Sequence, residues 1–247
     1  MNFYAVIIGT EILNGRREDK HFSFLREALA EYGHTLFASF VIKDDKELIT
    51  RVFKMIKEDE KSVMFSFGGI GSTPDDLTRE IASKVFRNAP LEVHSQFFKD
   101  IEEKFGKEAY PHRIHMADLP PKADLIYNPV NNMSGFALDN RYFFVPGFPS
   151  MAHPMLKSII QKHFATKKEN YRKTLIAKTS ENTLISLMQQ LPESIELSSL
   201  PMFKENKPHV ELSLSSDNKQ DVLEYFQKFE NALKEKNIQY TIQKETI

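Results

Sequence analysis

At 247 residues the chain has room for one large or two modest domains, and its 41% apolar and 27% charged residues exclude disorder, collagen and coiled coil. Its 33 Lys and Arg against 34 Asp and Glu leave no positive field to gather nucleic acid or an anionic membrane, and the lack of Cys excludes disulfides, thiolate nucleophiles, zinc ribbons and iron–sulfur ligation. No basic leader is visible and no run approaches the roughly 18 apolar residues of a spanning helix, so a cytoplasmic protein with neither membrane nor nucleic-acid partner is expected.

In chain order, Phe3 to Gly9 is a near-continuous apolar run ending in glycine, the pattern of a parallel strand buried on both faces. Phe22, Leu25, Leu29 and Tyr32 then recur at helical spacing, with Gly33 as the stop. A strand over Leu36–Ile42, a helix through Val52, Phe53 and Ile56, and a strand over Val63–Phe67 continue the alternation. Further helices are expected at Leu77–Phe86, Ser95–Phe105 and Ser150–Phe164. Asp139-Asn140, between Gly135–Leu138 and Arg141–Val145, signals a short hairpin, expected as an antiparallel edge pair. This order predicts an α/β domain: a three-layer, mostly parallel sheet with helices on both faces and ligands at the carboxyl ends of its strands.

All nine glycines lie at or before Gly147, and a polar stretch at Ala165–Asn170 suggests domains at 1–166 and 167–247. The tail reads strand (Thr174–Ala177), helix (Ser180–Leu191, with Ser180 as N-cap), strand (Ile195–Leu200), strand (Val210–Ser215), helix (Lys219–Lys236), strand (Ile238–Ile242), a small α+β domain of βαββαβ order.

The segment Phe67-Gly68-Gly69-Ile70-Gly71-Ser72-Thr73-Pro74-Asp75-Asp76-Leu77-Thr78 leaves a buried strand and enters a helix. Glycines let successive N–H groups face one point, Ser72 and Thr73 add hydroxyls, and the helix start adds partial positive charge, together an anion cradle suited to phosphate. Acidic residues beside an anion make sense where a cation bridges them, and magnesium commonly takes one or two carboxylates plus substrate phosphates. Asp76 reads as such a ligand. Asp75 is open between that role and capping the helix. The segment is neither a Walker loop nor the dinucleotide fingerprint.

Together with Gly9-Thr10-Glu11-Ile12-Leu13-Asn14-Gly15 after the first strand, and with Pro146-Gly147-Phe148-Pro149, these residues resemble the molybdenum-cofactor-biosynthesis (molybdopterin-binding) domain, and within it the competence/damage-inducible CinA branch. The tail resembles the small KH-type domain that follows in CinA proteins. The resemblance implies a metal-dependent hydrolase of an ADP-ribose-like nucleotide diphosphate using Mg²⁺ or another divalent cation, with Asp44 and Asp76 as metal-holding catalytic carboxylates. It places the small-molecule nucleotide or pterin phosphate on Gly9, Thr10, Glu11, Gly68, Gly69, Gly71, Ser72, Thr73, Thr78, Ser134, Gly135, Pro146 and Gly147. A homodimer is expected. Asp44 is open between the site and a helix cap shared with Asp45, Glu11 between a site acid and a loop carboxylate, and Arg16 and Arg17 between phosphate, a second subunit and solvent.

Several positions depart from the family pattern. The loop has Ser72 and Pro74 where the family carries Pro and His, a Lys-Gln-Ala motif is replaced by His115-Met116-Ala117, a Gly-Thr-Ala-Pro-Gly stretch by Asn131-Asn132-Met133-Ser134-Gly135, and a Glu by Met151. Losing a lysine near phosphates removes a fixed charge, which favours the alternative of a non-catalytic pterin or nucleotide binding module. The amidase activity of longer members is not expected. His112 and His115 read as pocket-lining loop rather than zinc ligands. The tail lacks the GXXG loop with which true KH modules clamp nucleic acid, and docking or dimerisation suits it better.

Overall fold

The structure, a computed structural model, describes residues 1–166 and 169–243. The chain divides into two units, residues 1–167 and 168–247, and the boundary expected after residue 166 falls on 167–168, outside the described residues.

The first unit runs β1 (Asn2–Ile8), α1 (Thr10–Leu13), α2 (His21–Ala30), β2 (Leu36–Ile42), α3 (Lys46–Glu58), β3 (Ser62–Phe67), α4 (Thr78–Ala82), β4 (Glu92–Val93), α5 (Ser95–Phe105), β5 (Asp118–Leu119), β6 (Asp124–Ile126), β7 (Gly135–Leu138), β8 (Tyr142–Val145) and α6 (Pro149–His163). Six strands form one sheet in the order β2-β1-β3-β8-β7-β6. Neighbours from β2 to β8 are parallel, and β7 runs antiparallel to both β8 and β6.

The alternation along β1 explains the layers. Tyr4, Val6 and Ile8 join a core with Ile49, Phe53, Ile81 and Ile101 of α3, α4 and α5, whereas Phe3, Ala5 and Ile7 join one with Leu25 and Leu29 of α2 and Ile159 of α6. Side chains of a strand point alternately to opposite faces, so a run apolar at every position needs both faces covered. Asp45, whose carboxylate accepts from the Leu48 N–H at 2.8 Å, caps α3 alone.

Two expectations in this unit are corrected, and the alternative left open at Asp75 is decided. The β7–β8 pair is antiparallel but not at the edge: β8, buried at every position, is interior and parallel to β3, while the three-residue β6 takes the edge. Tyr142-Phe143-Phe144-Val145 is itself an all-apolar run, the signature of a central strand. The helix expected from Leu77 becomes α4 followed by a π-helical turn, Ser83–Arg87, ending at Asn88 with φ 52°. Leu77 stands at its N-cap position with no side-chain cap, so Asp75 does not cap it.

The second unit runs β9 (Tyr171–Ala177), α7 (Ile185–Met188), β10 (Glu196–Lys204), β11 (Lys207–Ser216), α8 (Lys219–Glu235) and β12 (Tyr240–Ile242), with an antiparallel sheet in the order β10-β11-β9-β12. Val222, Phe226, Phe229 and Leu233 of α8 cover it. The helix expected from Ser180 is only a 3₁₀ turn, Glu181–Thr183, and the single turn α7, and Ser180 makes no side-chain cap. In this stretch Leu184 alone among the apolar side chains is fully buried, too little to hold a long helix. The β10–β11 hairpin runs past Pro201 and Pro208 through Glu205-Asn206, both at positive φ.

Candidate functional site

Because β1, β2, β3 and β8 are parallel, the segments that leave them gather at one edge of the sheet. Gly9, Thr10 and Glu11 follow β1, Asp44 follows β2, Gly68 to Thr73 follow β3, and Pro146 and Gly147 follow β8. Ser134 and Gly135 enter the same edge from the opposite direction, since Phe136 of β7 pairs with Phe144 near the end of β8.

Main chain meets main chain here. The Gly9 N–H donates to the Ile42 carbonyl and the Gly68 N–H to the Val145 carbonyl, each at 3.0 Å. A Cβ on Gly68 would lie 2.5 Å from the Ile8 carbonyl oxygen, one on Gly147 3.3 Å from the Gly68 Cα, and one on Gly135 2.3 Å from the Phe144 carbonyl oxygen. Gly135 and Gly147 are thus explained by close approach of backbone.

The loop after β3 is braced from behind. Gly68 and Gly69 adopt φ 93° and 69°. Thr78 donates its hydroxyl to the Gly68 carbonyl at 3.0 Å and its N–H to the Gly69 carbonyl at 2.9 Å. Arg79, only 8% exposed, donates from its guanidinium to the Gly71 carbonyl at 2.7 Å and to the His115 carbonyl. Burial pulls the Arg79 pKa down, partly offset by the charges of Asp76 and Asp118. Asp76 accepts from both the N–H and the hydroxyl of Thr73, at 2.8 and 2.6 Å. With these carbonyls engaged on one side, the consecutive N–H groups of Gly69, Ile70, Gly71 and Ser72 find no acceptor among the described residues.

The cradle is therefore narrower than the sequence suggests. The hydroxyls of Thr10, Thr73 and Thr78 brace loops instead of facing a ligand, and the N–H groups of Gly9, Gly68, Thr10 and Thr73 are already bonded. Asp44 accepts from the Thr10 N–H at 2.8 Å and its hydroxyl at 2.9 Å, joining the ends of β1 and β2, so the capping is left to Asp45. Glu11 lies over Gly9, where a Cβ would be 2.9 Å from its carboxylate, and 3.7 Å from the Arg17 guanidinium.

Among the described residues, no group of three or more His, Asp or Glu is placed to hold a metal ion. Asp44 and Asp76 each commit one carboxylate oxygen, Oδ2, to a threonine, leaving Oδ1 without a hydrogen bond among the described residues. Each carboxylate thus has one oxygen to spare, and magnesium typically takes only one or two protein carboxylates besides phosphates and water.

The positions that depart from the family are occupied otherwise. The His115 ring pairs with Asp118 at 2.8 Å, and Asn131 donates to the Met151 sulfur at 3.5 Å. Sequence reasoning missed Arg79 and His21. Arg79 is the second residue of α4, set between the polar Thr78 and Glu80, and nothing in the sequence marks it off from them. His21, 3% exposed, stacks on Phe67 and its Nε2 lies 3.2 Å from the Gly147 carbonyl oxygen. Burial lowers its pKa, opposed by that carbonyl and by Asp19.

Residues 4–166 match the family described as "Probable molybdopterin binding domain". A protein of Sulfurisphaera tokodaii is 30% identical over 253 residues, covering 94% of each chain. A CinA-like protein of Nostoc punctiforme is 31% identical over 162 residues, which are 63% of this chain and 38% of that relative's length. The crystal structure of CinA from Thermoplasma acidophilum, described as of unknown function, superposes with a TM-score of 0.60 at 29% identity, covering 66% of this chain and 98% of that one.

Proposed function

Since the chain belongs to the CinA-like, competence/damage-inducible family, with a molybdopterin-binding domain as its first unit, we propose that Gly69 to Ser72 take the phosphates of a nucleotide or pterin. The observation that carries this is the row of unpaired N–H groups at the carboxyl edge of a parallel sheet. Successive amides in a glycine-rich loop can form an anion-binding concavity, and Gly69 to Ser72 are partly exposed, so a ligand can reach them. Thr78 and Arg79 bind no ligand in this reading; they hold the carbonyls back so that the amides stay presented.

A second reading adds turnover, and the free Oδ1 atoms of Asp44 and Asp76 favour it. A divalent ion held by these carboxylates and the ligand would neutralise phosphoryl oxygens. Water would then add to one phosphorus of an ADP-ribose-like diphosphate as the bridging P–O bond breaks, giving AMP and ribose 5-phosphate. The chain's own part is to hold the diphosphate on Gly69 to Ser72 and to keep Asp44 and Asp76 fixed through Thr10 and Thr73. The assembly proposed is a homodimer, open to sedimentation analysis. No described helix is long and apolar enough to cross a membrane.

Titration calorimetry with ADP-ribose and with a pterin phosphate, followed by AMP release under Mg²⁺, Mn²⁺ or Co²⁺, tests both. Binding is expected for wild type, and release is expected to vanish in Asp76→Ala. No heat with any phosphate ligand overturns the binding reading, and binding without release under any of the metals overturns turnover.

A further inference from the structure

Beside the phosphate loop stands an aromatic ring that core packing does not explain. Phe148 follows Gly147 directly and precedes Pro149 of α6, and it is 53% exposed. It lies in neither core of its unit among the described residues. The Arg17 guanidinium stands 5.3 Å from its ring centroid. Arg17 is paired with Glu11 at 3.7 Å, and the Glu11 carboxylate lies over Gly9. Gly147, on the other side, packs on Gly68, and Gly68 packs on the Ile8 carbonyl next to Gly9. A closed circuit, Gly9, Glu11, Arg17, Phe148, Gly147, Gly68, thus begins and ends at the phosphate-binding loops.

Resting on the phosphate reading above, we infer that Phe148 favours ring-bearing ligands over bare phosphates by stacking the planar ring of the ligand, a nucleobase or a pterin, while Arg17 faces its diphosphate. The guanidinium covers one face of the Phe148 ring, yet half of the side chain stays open. An aromatic platform beside an anion site is what a ligand joining a π system to phosphates requires, and such stacking tolerates different bases because each offers a π face.

Titration calorimetry with two probes that resist hydrolysis tests this. Methylene-bridged ADP carries adenine and methylenediphosphonate carries no ring, and neopterin triphosphate supplies the pterin arm. Phe148→Ala and Phe148→Leu are expected to lose about ten-fold in affinity for a ring-bearing probe, with Phe148→Tyr close to wild type and methylenediphosphonate unchanged in all three. Arg17→Ala is expected to weaken every probe. Unchanged affinity of Phe148→Ala for both ring-bearing probes overturns the inference, as does an equal loss for methylenediphosphonate, which would make Phe148 structural. Failure of wild type to bind any probe is a separate result and removes the phosphate reading itself.

Discussion

Three glycine-to-alanine changes separate what the loop backbone needs from what a ligand needs. At Gly15 φ is 76° and a Cβ meets nothing within 4 Å, so Gly15→Ala isolates the backbone penalty, about 1 kcal/mol. At Gly68 φ is 93° and the Cβ would sit 2.5 Å from the Ile8 carbonyl oxygen, which is main chain in a buried strand and cannot swing aside. The strained φ adds about 2 kcal/mol and the overlap a similar amount, giving about 4 kcal/mol in all. At Gly71, where φ is not positive, the nearest atom is the Asp76 Oδ2 at 2.6 Å, the end of a side chain that can move. For a unit of this size about 3 °C of melting temperature accompanies each kcal/mol, so Gly15→Ala should lose about 3 °C and Gly68→Ala about 12 °C. Gly71→Ala should melt within about 3 °C of wild type but bind ADP-ribose more weakly, because its methyl displaces Asp76 beside the free amides. Scanning calorimetry and ADP-ribose titration of the same preparations give both readouts. If Gly68→Ala melts no lower than Gly15→Ala, the ends of β1 and β3 do not meet as described and the cradle loses its floor.

Other outcomes follow from groups around that floor. Burial is the main cause holding His21, His153 and His163 below the usual imidazole value of 6.5. The unfolded chain therefore takes up protons that the folded one does not, so stability is full above pH 6.5 and falls as pH drops below it toward the depressed folded values. Thermal melts from pH 7.5 to 5.5 should show that decline, made shallower by His21→Phe; an equally steep decline in that variant would clear His21 of it. Arg79→Met should strand the Gly71 and His115 carbonyls, lowering stability by about 1–3 kcal/mol and weakening ADP-ribose binding, and Arg79→Lys should recover at most part of both. Full retention of binding in Arg79→Met would show that the loop holds its shape without the guanidinium.

Much of the first unit could be read from the chain, because runs buried on both faces, such as Phe3 to Ile8, force parallel packing under two helical layers. The same logic applied to Tyr142–Val145 would have moved β8 inward; the neighbouring Asp139-Asn140 turn drew attention to a hairpin and hid its central partner β3. β6 was illegible, since three residues carry no periodicity. At the site, sequence located the segments but not the division of labour within them. Thr73 and Ser72 look alike as hydroxyl donors, and only geometry reveals that one is spent on Asp76 while no partner among the described residues engages the amide of the other. Adjacent Asp44 and Asp45 likewise separate only in space, one toward Thr10 and the other toward Leu48.

Where Gly147 rests on Gly68 and Gly68 on Ile8, peptide groups touch with no side chain between them. Such a surface does not admit a side chain, because a Cβ at Gly68 would already overlap the Ile8 carbonyl oxygen. Diversification of this pocket is thereby channelled to its perimeter, where the side chains of Glu11, Arg17 and Phe148 stand on the peptide bedrock.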